Sequence, residues 1–596
     1  MPSLAVGAII IFCLALVLAQ RKCDASQRAR RVANQVIEVS AGGDFQAALD
    51  SAICGDTITL QAGASYNGNF VYNRPCLSDP ITIRTSNLAG ISASGARVVP
   101  ASHAAAMPKL VGITTAQAFR TGPSAAGLTL IGIEATTNAA TYAPDVIDIN
   151  SDRTVIDRCF VHPAEINASN LFPSTLRRSS GRGIGIGAAD VWVINSYIAG
   201  FAGRYLDNSA NIDSYGVYSP VGPGPLHIIN NYIEAQFNNV FLGGADCDTP
   251  NKATVSNATQ TSATFSQVAN LNVGDLVAMS SGTSWQDAQI NSINGNNVTF
   301  TIVTGQYSPT PAAPDNGGTA RWNGDHIHDV EVRRNAFWKP DAWNAFSNPK
   351  SYIEVKDCVN CIIDGNDMYS GIGTAIALTV RNQDGSAPWA TIRNLTFSNN
   401  RINGYQNFGF GIQLKDNERP SVVGGPLLIT NNLLIGERPL DGPNPANFIG
   451  LSGADGVTFS HNTILQTYAL WQAFGYIATN VVFKDNIANS GPYGPICGLG
   501  PTLASCWPGY TTNKNVIIDN RRDPNPPLSN IISGSNFYPT SQSTLRLVDP
   551  AGGNYRLAAS SPYKGKASDR KDPGVDMDVL MTALAGSAAS VPRVSQ

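Results

Sequence analysis

Charge is what this chain has least of. Only 14% of its 596 residues are Asp, Glu, Lys or Arg, and the formal net charge is -3. Nucleic acid is excluded as a partner, since phosphate binding needs a dense basic surface. Any acidic polymer would have to meet a local basic patch. Long apolar runs are lacking too. Leu4 to Ala19 is the exception, and it is too short for a comfortable bilayer span. It reads as a signal peptide over 1–19, or as an anchor if uncleaved, because Arg21, Lys22, Arg28, Arg30 and Arg31 follow the apolar run instead of preceding it. The chain is therefore expected outside the cytoplasm: secreted, periplasmic or on the cell surface. A membrane enters only through that segment. No second CxxC accompanies Cys358 and Cys361, so a zinc site has half its ligands at most. GRGIGIG (181–187) lacks the strand–helix setting and the lysine of a phosphate loop, and reads as glycine in a crowded strand.

What the chain has instead is glycine (56) and many Asn, Ser and Thr. That composition suits short strands and tight turns. One nine-residue frame keeps returning: VTFSHNTIL (457–465), LHIINNYIE (226–234), VEVRRNAFW (330–338), CIIDGNDMY (361–369), LTFSNNRIN (395–403), LLITNNLLI (427–435) and VVFKDNIAN (481–489). VWVINSYIA (191–199) and TVIDRCFVH (154–162) are degenerate copies. A repeat every ~30 residues means stacked units. Each copy holds two strand segments, and a third precedes it, as in YIEVKD (352–357), AIALTVR (375–381) and GIQLKD (411–416). Three short strands per coil predict an all-β, right-handed parallel β-helix. The shared Asn (Asn231, Asn335, Asn366, Asn400, Asn432, Asn462 and Asn486) is expected at a left-handed turn, its amide bonding along the stack.

The chain then divides into a basic lead-in (20–35), an N-terminal cap and coils (36–245), an inserted β-rich module (246–325), further coils (326–545), and a C-terminal cap and tail (546–596). Asp44 is placed to cap a short helix starting at Phe45. Cys54 with Cys76, and Cys497 with Cys506, are the short-range disulfide candidates of an exported chain. At the mouths of the insertion, Asp246, His326 and His328 are candidate metal ligands, against a polar junction where the insertion leaves the coils.

The third strand series carries the functional candidates. Aligning Ile353–Lys356 with Ile376–Thr379 and Ile412–Lys415 buries the aliphatics and turns Glu354, Lys356, Thr379, Gln413 and Lys415 outward. In that alignment Lys356 and Lys415 lie about 10 Å apart, the scale of a sugar ring. Arg381, Asp384 and Trp389 would hang over the same face. Cations, amides and an aromatic platform suit an acidic polysaccharide. Lys356, Arg381 or Lys415 could remove the proton α to a uronate carboxylate if its pKa is lowered. Glu354 with Asp384 or Asp416 is the only carboxylate pair available to a glycoside hydrolase. A non-catalytic carbohydrate-binding or cell-surface protein is the other reading.

The coil repeat over about 36–578 resembles the right-handed β-helix superfamily of pectate lyases and related polysaccharide-active proteins. YIEAQFNNVFLGGAD (232–246), RRNAFWKP (333–340), YIEVKDCVNCIIDGN (352–366) and VRNQDGSAPW (380–389) are similar to a group of exported bacterial β-helix repeat proteins. The resemblance implies an elongated groove for acidic polysaccharide, with calcium in many of the lyases. The chain departs from the enzyme signatures: it has no vWiDH-type segment, and the NTD, paired-Asp, GHG and RIK set is missing. Fold carries over; catalytic residues do not.

Overall fold

In the computed structural model the described residues are 34–138, 142–164, 180–202, 213–244, 249, 251–340, 349–369, 373–382, 384–436 and 446–587. The signal or anchor segment, nearly all of the basic lead-in, and Asp246 lie outside them. The expected parallel β-helix is the observed fold. One parallel sheet of twelve strands, here sheet I, contains one strand from each coil; a folded sheet of 27 strands, sheet II, contains the other two. One coil runs Ile353–Val355 in sheet I, then Cys358–Asp364 and Asp367–Tyr369 in sheet II. The next coil repeats it in register, with Ile353 beside Ile376 and Cys361 beside Leu395. Inward aliphatics therefore stack into one continuous core from Val39 to Ile532. Among the described residues no helix is long and apolar enough to cross a membrane.

The turn between the two sheet II strands divides its work between two residues. The left-handed position is the residue before the repeat Asn: Asn230, Arg334, Gly365, Asn399, Asn431, His461 and Asp485 all have φ between 52° and 65°. The Asn itself is fully buried. Its Oδ1 accepts from the backbone N–H of the Asn one coil earlier, as in Asn335 to Asn366 (3.0 Å) and Asn366 to Asn400 (2.9 Å). Asn515 and Asn536 extend the series, and Ser196 stands in at its other end. The expectation of a left-handed backbone at the Asn is thus displaced by one residue. The buried amide is needed for bonding, and its neighbour makes the bend.

The first coil is closed by the helix Phe45–Ser51, whose N-cap Asp44 accepts from Ala47 N–H (2.9 Å). Cys54–Cys76, Cys497–Cys506 and Cys358–Cys361 are disulfides. Asn360, at φ 60°, breaks the strand alternation and turns both Cys358 and Cys361 inward, so this CxxC is not a half-site for zinc.

The insertion is a closed antiparallel barrel of six strands between Lys252 and Trp322, with its own core around Phe265, Phe300 and Trp322. At the far end the chain turns back. The segment from Ser568 to Ser587 crosses the coil turns, and its helix Met577–Ala583 packs on Leu433.

Candidate functional site

The outer face of sheet I carries the candidate site. Its central outward row runs Arg120, Asp148, Gly185, Tyr218, Phe241, Glu354, Ala377, Gly411, Gly450 and Gln472. Ala377, Gly411 and Gly450 make a shallow trough. A Cβ on Gly450 would lie 3.0 Å from the Phe408 ring and 3.1 Å from the Phe474 ring, so these two rings, 6.4 Å apart between centres, meet over Gly450 and bound the trough at that end. Lys356 comes one residue after the Val355–Leu378 pair and begins a flanking row continued by Thr379, Gln413 and Ser452.

Lys356 heads this row in a half-apolar setting. Its stem lies against the backbone of Gly244, where a Cβ would come 2.6 Å from Lys356 Cδ. Its Nζ stands 5.2 Å from the centre of the Phe241 ring and makes no ion pair among the described residues. Burial lowers its pKa; Lys350 and Arg381 add to the lowering, while Glu354 and Glu418 oppose it. Glu354 lies on the outward row but is only 3% exposed. Its carboxylate is held by Lys350 (3.0 and 2.9 Å) and Asn238 (2.7 Å).

Toward the N-terminus the same face becomes aromatic and acidic. Val146 and Ile147 both point inward, a break in the strand alternation that leaves Asp145 and Asp148 outward. Asp145 pairs with Arg182 through two bonds (2.7 and 2.9 Å). Burial pushes its carboxyl up to about 6, against the pull of Arg182 and with a smaller push from Asp148. Arg182 lies 4.6 Å over the Tyr218 ring, which stacks 5.1 Å from Phe241.

No family model matches the chain, and no curated protein matches it. Solved structures do. An alginate lyase from Paenibacillus sp. str. FPU-7 is 13% identical, over 71% of this chain and 97% of that one, with a TM-score of 0.31. Pectate lyase Pel9A is 11% identical over 92% and 97%, at 0.34. Alginate lyase AlyF-OU02 is 12% identical over 91% and 96%, at 0.40. These similarities concern architecture, and no residue role is taken from them.

Several expected site residues sit elsewhere. The Ile376–Thr379 strand pairs with Phe410–Gln413, not Ile412–Lys415. A slip of two residues keeps the face but changes the row, so Gln413 joins Lys356 and Thr379 while Lys415 leaves the strand. Gln413 bonds Asn417 (2.8 Å). Lys415 Nζ lies 4.6 Å over the Tyr476 ring, beside the barrel. Arg381 is tied to Asp416 (3.1 Å) and Glu418 (3.4 Å). Trp389 is 5% exposed and packs over Gly324, so it is no platform. Asp384 is exposed and accepts from Ser386 N–H in a turn (2.9 Å).

The carboxylates nominated for a glycoside hydrolase are thus engaged: Glu354 by Lys350 and Asn238, Asp416 by Arg381 and two backbone N–H groups. His326 bonds Asp357 (2.9 Å), His328 bonds Asp329 (2.8 Å), and Ile327 between them is buried. Among the described residues no three His, Cys, Asp or Glu gather as ligands. The side chains around Lys356 therefore do not fit the calcium that the resemblance implies.

Sequence reasoning missed Phe241, Tyr218, Phe408 and Phe474. A usable signal was present: SYGVYS (214–219) and NNVFLGG (238–244) are sheet I strands whose aromatics fall in the Glu354 row.

Proposed function

We propose that this protein binds an acidic polysaccharide along the outer face of sheet I and cleaves it by β-elimination, with Lys356 as the base. The observation that carries this reading is the setting of Lys356: a half-buried ammonium over an aromatic ring, within electrostatic reach of Glu354, Lys350, Arg381 and Glu418 but in no ion pair among the described residues. Lowering its pKa raises the fraction of free amine near neutrality. The amine removes the proton on the carbon α to the uronate carboxylate. The electron pair forms the C=C bond as the glycosidic C–O bond breaks, and the leaving oxygen takes up a proton. Phe408 and Phe474 offer apolar faces to neighbouring sugars. Export by the N-terminal segment would bring the protein to such a polymer.

The test is incubation with a panel of uronate polymers, followed by the ultraviolet absorbance of the unsaturated product. Lys356→Ala is expected to lower the rate by about 10²-fold or more. The wild-type rate should rise with pH through an apparent pKa below the ~10.4 of an ordinary lysine. Binding without unsaturated ends or new reducing ends would instead assign a non-catalytic carbohydrate-binding role.

A further inference from the structure

We infer that the cleft between the inserted barrel and the coils is a second binding site, one that takes the carboxylate of an acidic sugar through Lys415 and Arg419. A cavity of about 460 Å³ lies between Gln289 and Val303 of the barrel and Lys415, Arg419 and Tyr476 of the coils. The barrel is held at this distance by specific bonds. Gln306 N–H donates to Asn417 O (3.2 Å), Tyr307 N–H to Glu418 O (2.7 Å), and Asn382 Nδ2 to Asp287 Oδ2 (3.1 Å).

The cavity's one carboxylate is already satisfied. Asp416 accepts from Arg381 (3.1 Å), Asn382 N–H (2.8 Å) and Glu418 N–H (2.9 Å). That leaves two cations without a counter-charge. Lys415 rests on the Tyr476 ring at 4.6 Å and forms no ion pair among the described residues. Arg419 packs its guanidinium on Gly385, and its buried Nη1 has no acceptor. A planar carboxylate matches a guanidinium donor beside a point charge. Lys415 and Tyr476 also line an adjoining cavity of about 510 Å³ along the coils, so a sugar chain can continue past the two cations. The barrel thereby becomes a wall of a binding site. None of this depends on Lys356 or on elimination.

The experiment is calorimetric titration of the full chain with trisaccharides of galacturonate, mannuronate and guluronate, with xylotriose as the neutral control. At least one uronate should bind and xylotriose should not. The Lys415→Ala/Arg419→Ala variant should weaken that binding about tenfold or more, as should Gln289→Trp, which fills the cleft from the barrel side. Lys356→Ala, the groove variant, should leave a binding event that the double variant removes. Sodium sulfate should compete. The inference is overturned if no uronate binds, if xylotriose binds equally, if binding ignores sulfate, or if a folded double variant binds like wild type. Should the double variant not fold, Gln289→Trp decides: unchanged binding overturns the site. Loss of elimination with this binding intact would count against the groove alone.

Discussion

Lys339 shows how a single buried charge sets the geometry of the site without touching a ligand. Its Nζ donates to three backbone carbonyls, those of Ala235 (2.9 Å), Gln236 (2.6 Å) and Phe237 (2.9 Å). An ammonium has three donors, so each is used. Burial pushes its pKa well below the usual value, while the carbonyls favour the charged form. The corner it holds leads directly into the strand Asn238–Leu242, which presents Asn238 to Glu354 and Phe241 to Lys356. Lys339→Met removes all three donors and leaves three buried carbonyls without them. We expect a loss of about 3 kcal/mol or more, read by chemical denaturation. Nothing in RRNAFWKP marks this lysine as buried, because only its position opposite the 235–237 corner makes it so.

At the scale of the element, the turns and the strands were legible to different degrees. The Asn positions stand out in the sequence because each occupies the same place in a nine-residue frame. The one-residue division between the bend and the amide did not, since Asn399, Asn431 and Asn230 put Asn at both positions. Strand faces were legible from alternation, which has a period of two. Register was not, because a slip of two residues satisfies the same pattern, and that is how Lys415 was placed beside Lys356. Loops were least legible: Trp389 is followed by strand pattern and preceded by turn residues, yet contact with the barrel at Gly324 decides where it goes. The stack of amides has its own test. Asn366 Oδ1 accepts from both N–H and Nδ2 of Asn335 (3.0 Å each), and its Nδ2 donates to Val332 O (2.8 Å) and Asn400 Oδ1 (2.9 Å). Asn366→Ala orphans these buried groups and should cost about 3–5 kcal/mol in denaturant unfolding. Gly365→Ala, one residue away, should also destabilise for a different reason. It forces a Cβ into a φ of +65° and to 2.7 Å from Ala583 O.

For the whole molecule, the returning C-terminal segment converts a stack of neighbours into one unit. A solenoid is held by contacts between adjacent coils, so its end coils can open without the middle. Here Ser568 N–H and Oγ donate to the Asp485 carboxylate (2.6 Å each), and Gly574 N–H donates to Asp485 O (2.8 Å). Val575 N–H donates to Thr463 Oγ1 (3.0 Å), and Asp576 N–H to Asn431 Oδ1 (2.7 Å). Ala583 then lies on Gly365, and Ser587 O accepts from Arg97 Nη1 (3.4 Å), while Arg97 Nη2 donates to Arg334 O (3.1 Å). One strand of chain thus fastens successive turns and ends on a loop from the first coils. Met577, Leu580 and Leu584 are buried beneath it against Leu433. Truncation after Pro562 removes those bonds and exposes that apolar patch. At ~1.5–3 kcal/mol for each large side chain returned to water, the loss is on the order of 5 kcal/mol. The more telling change is in cooperativity. Wild type should unfold its coils together, with similar hydrogen-exchange protection at Asn366 and Asn486. The truncated chain should lose protection first at Asn486 and Asn462 and keep it at Asn231. Equal loss along the whole stack would mean that the segment adds stability without coupling the coils.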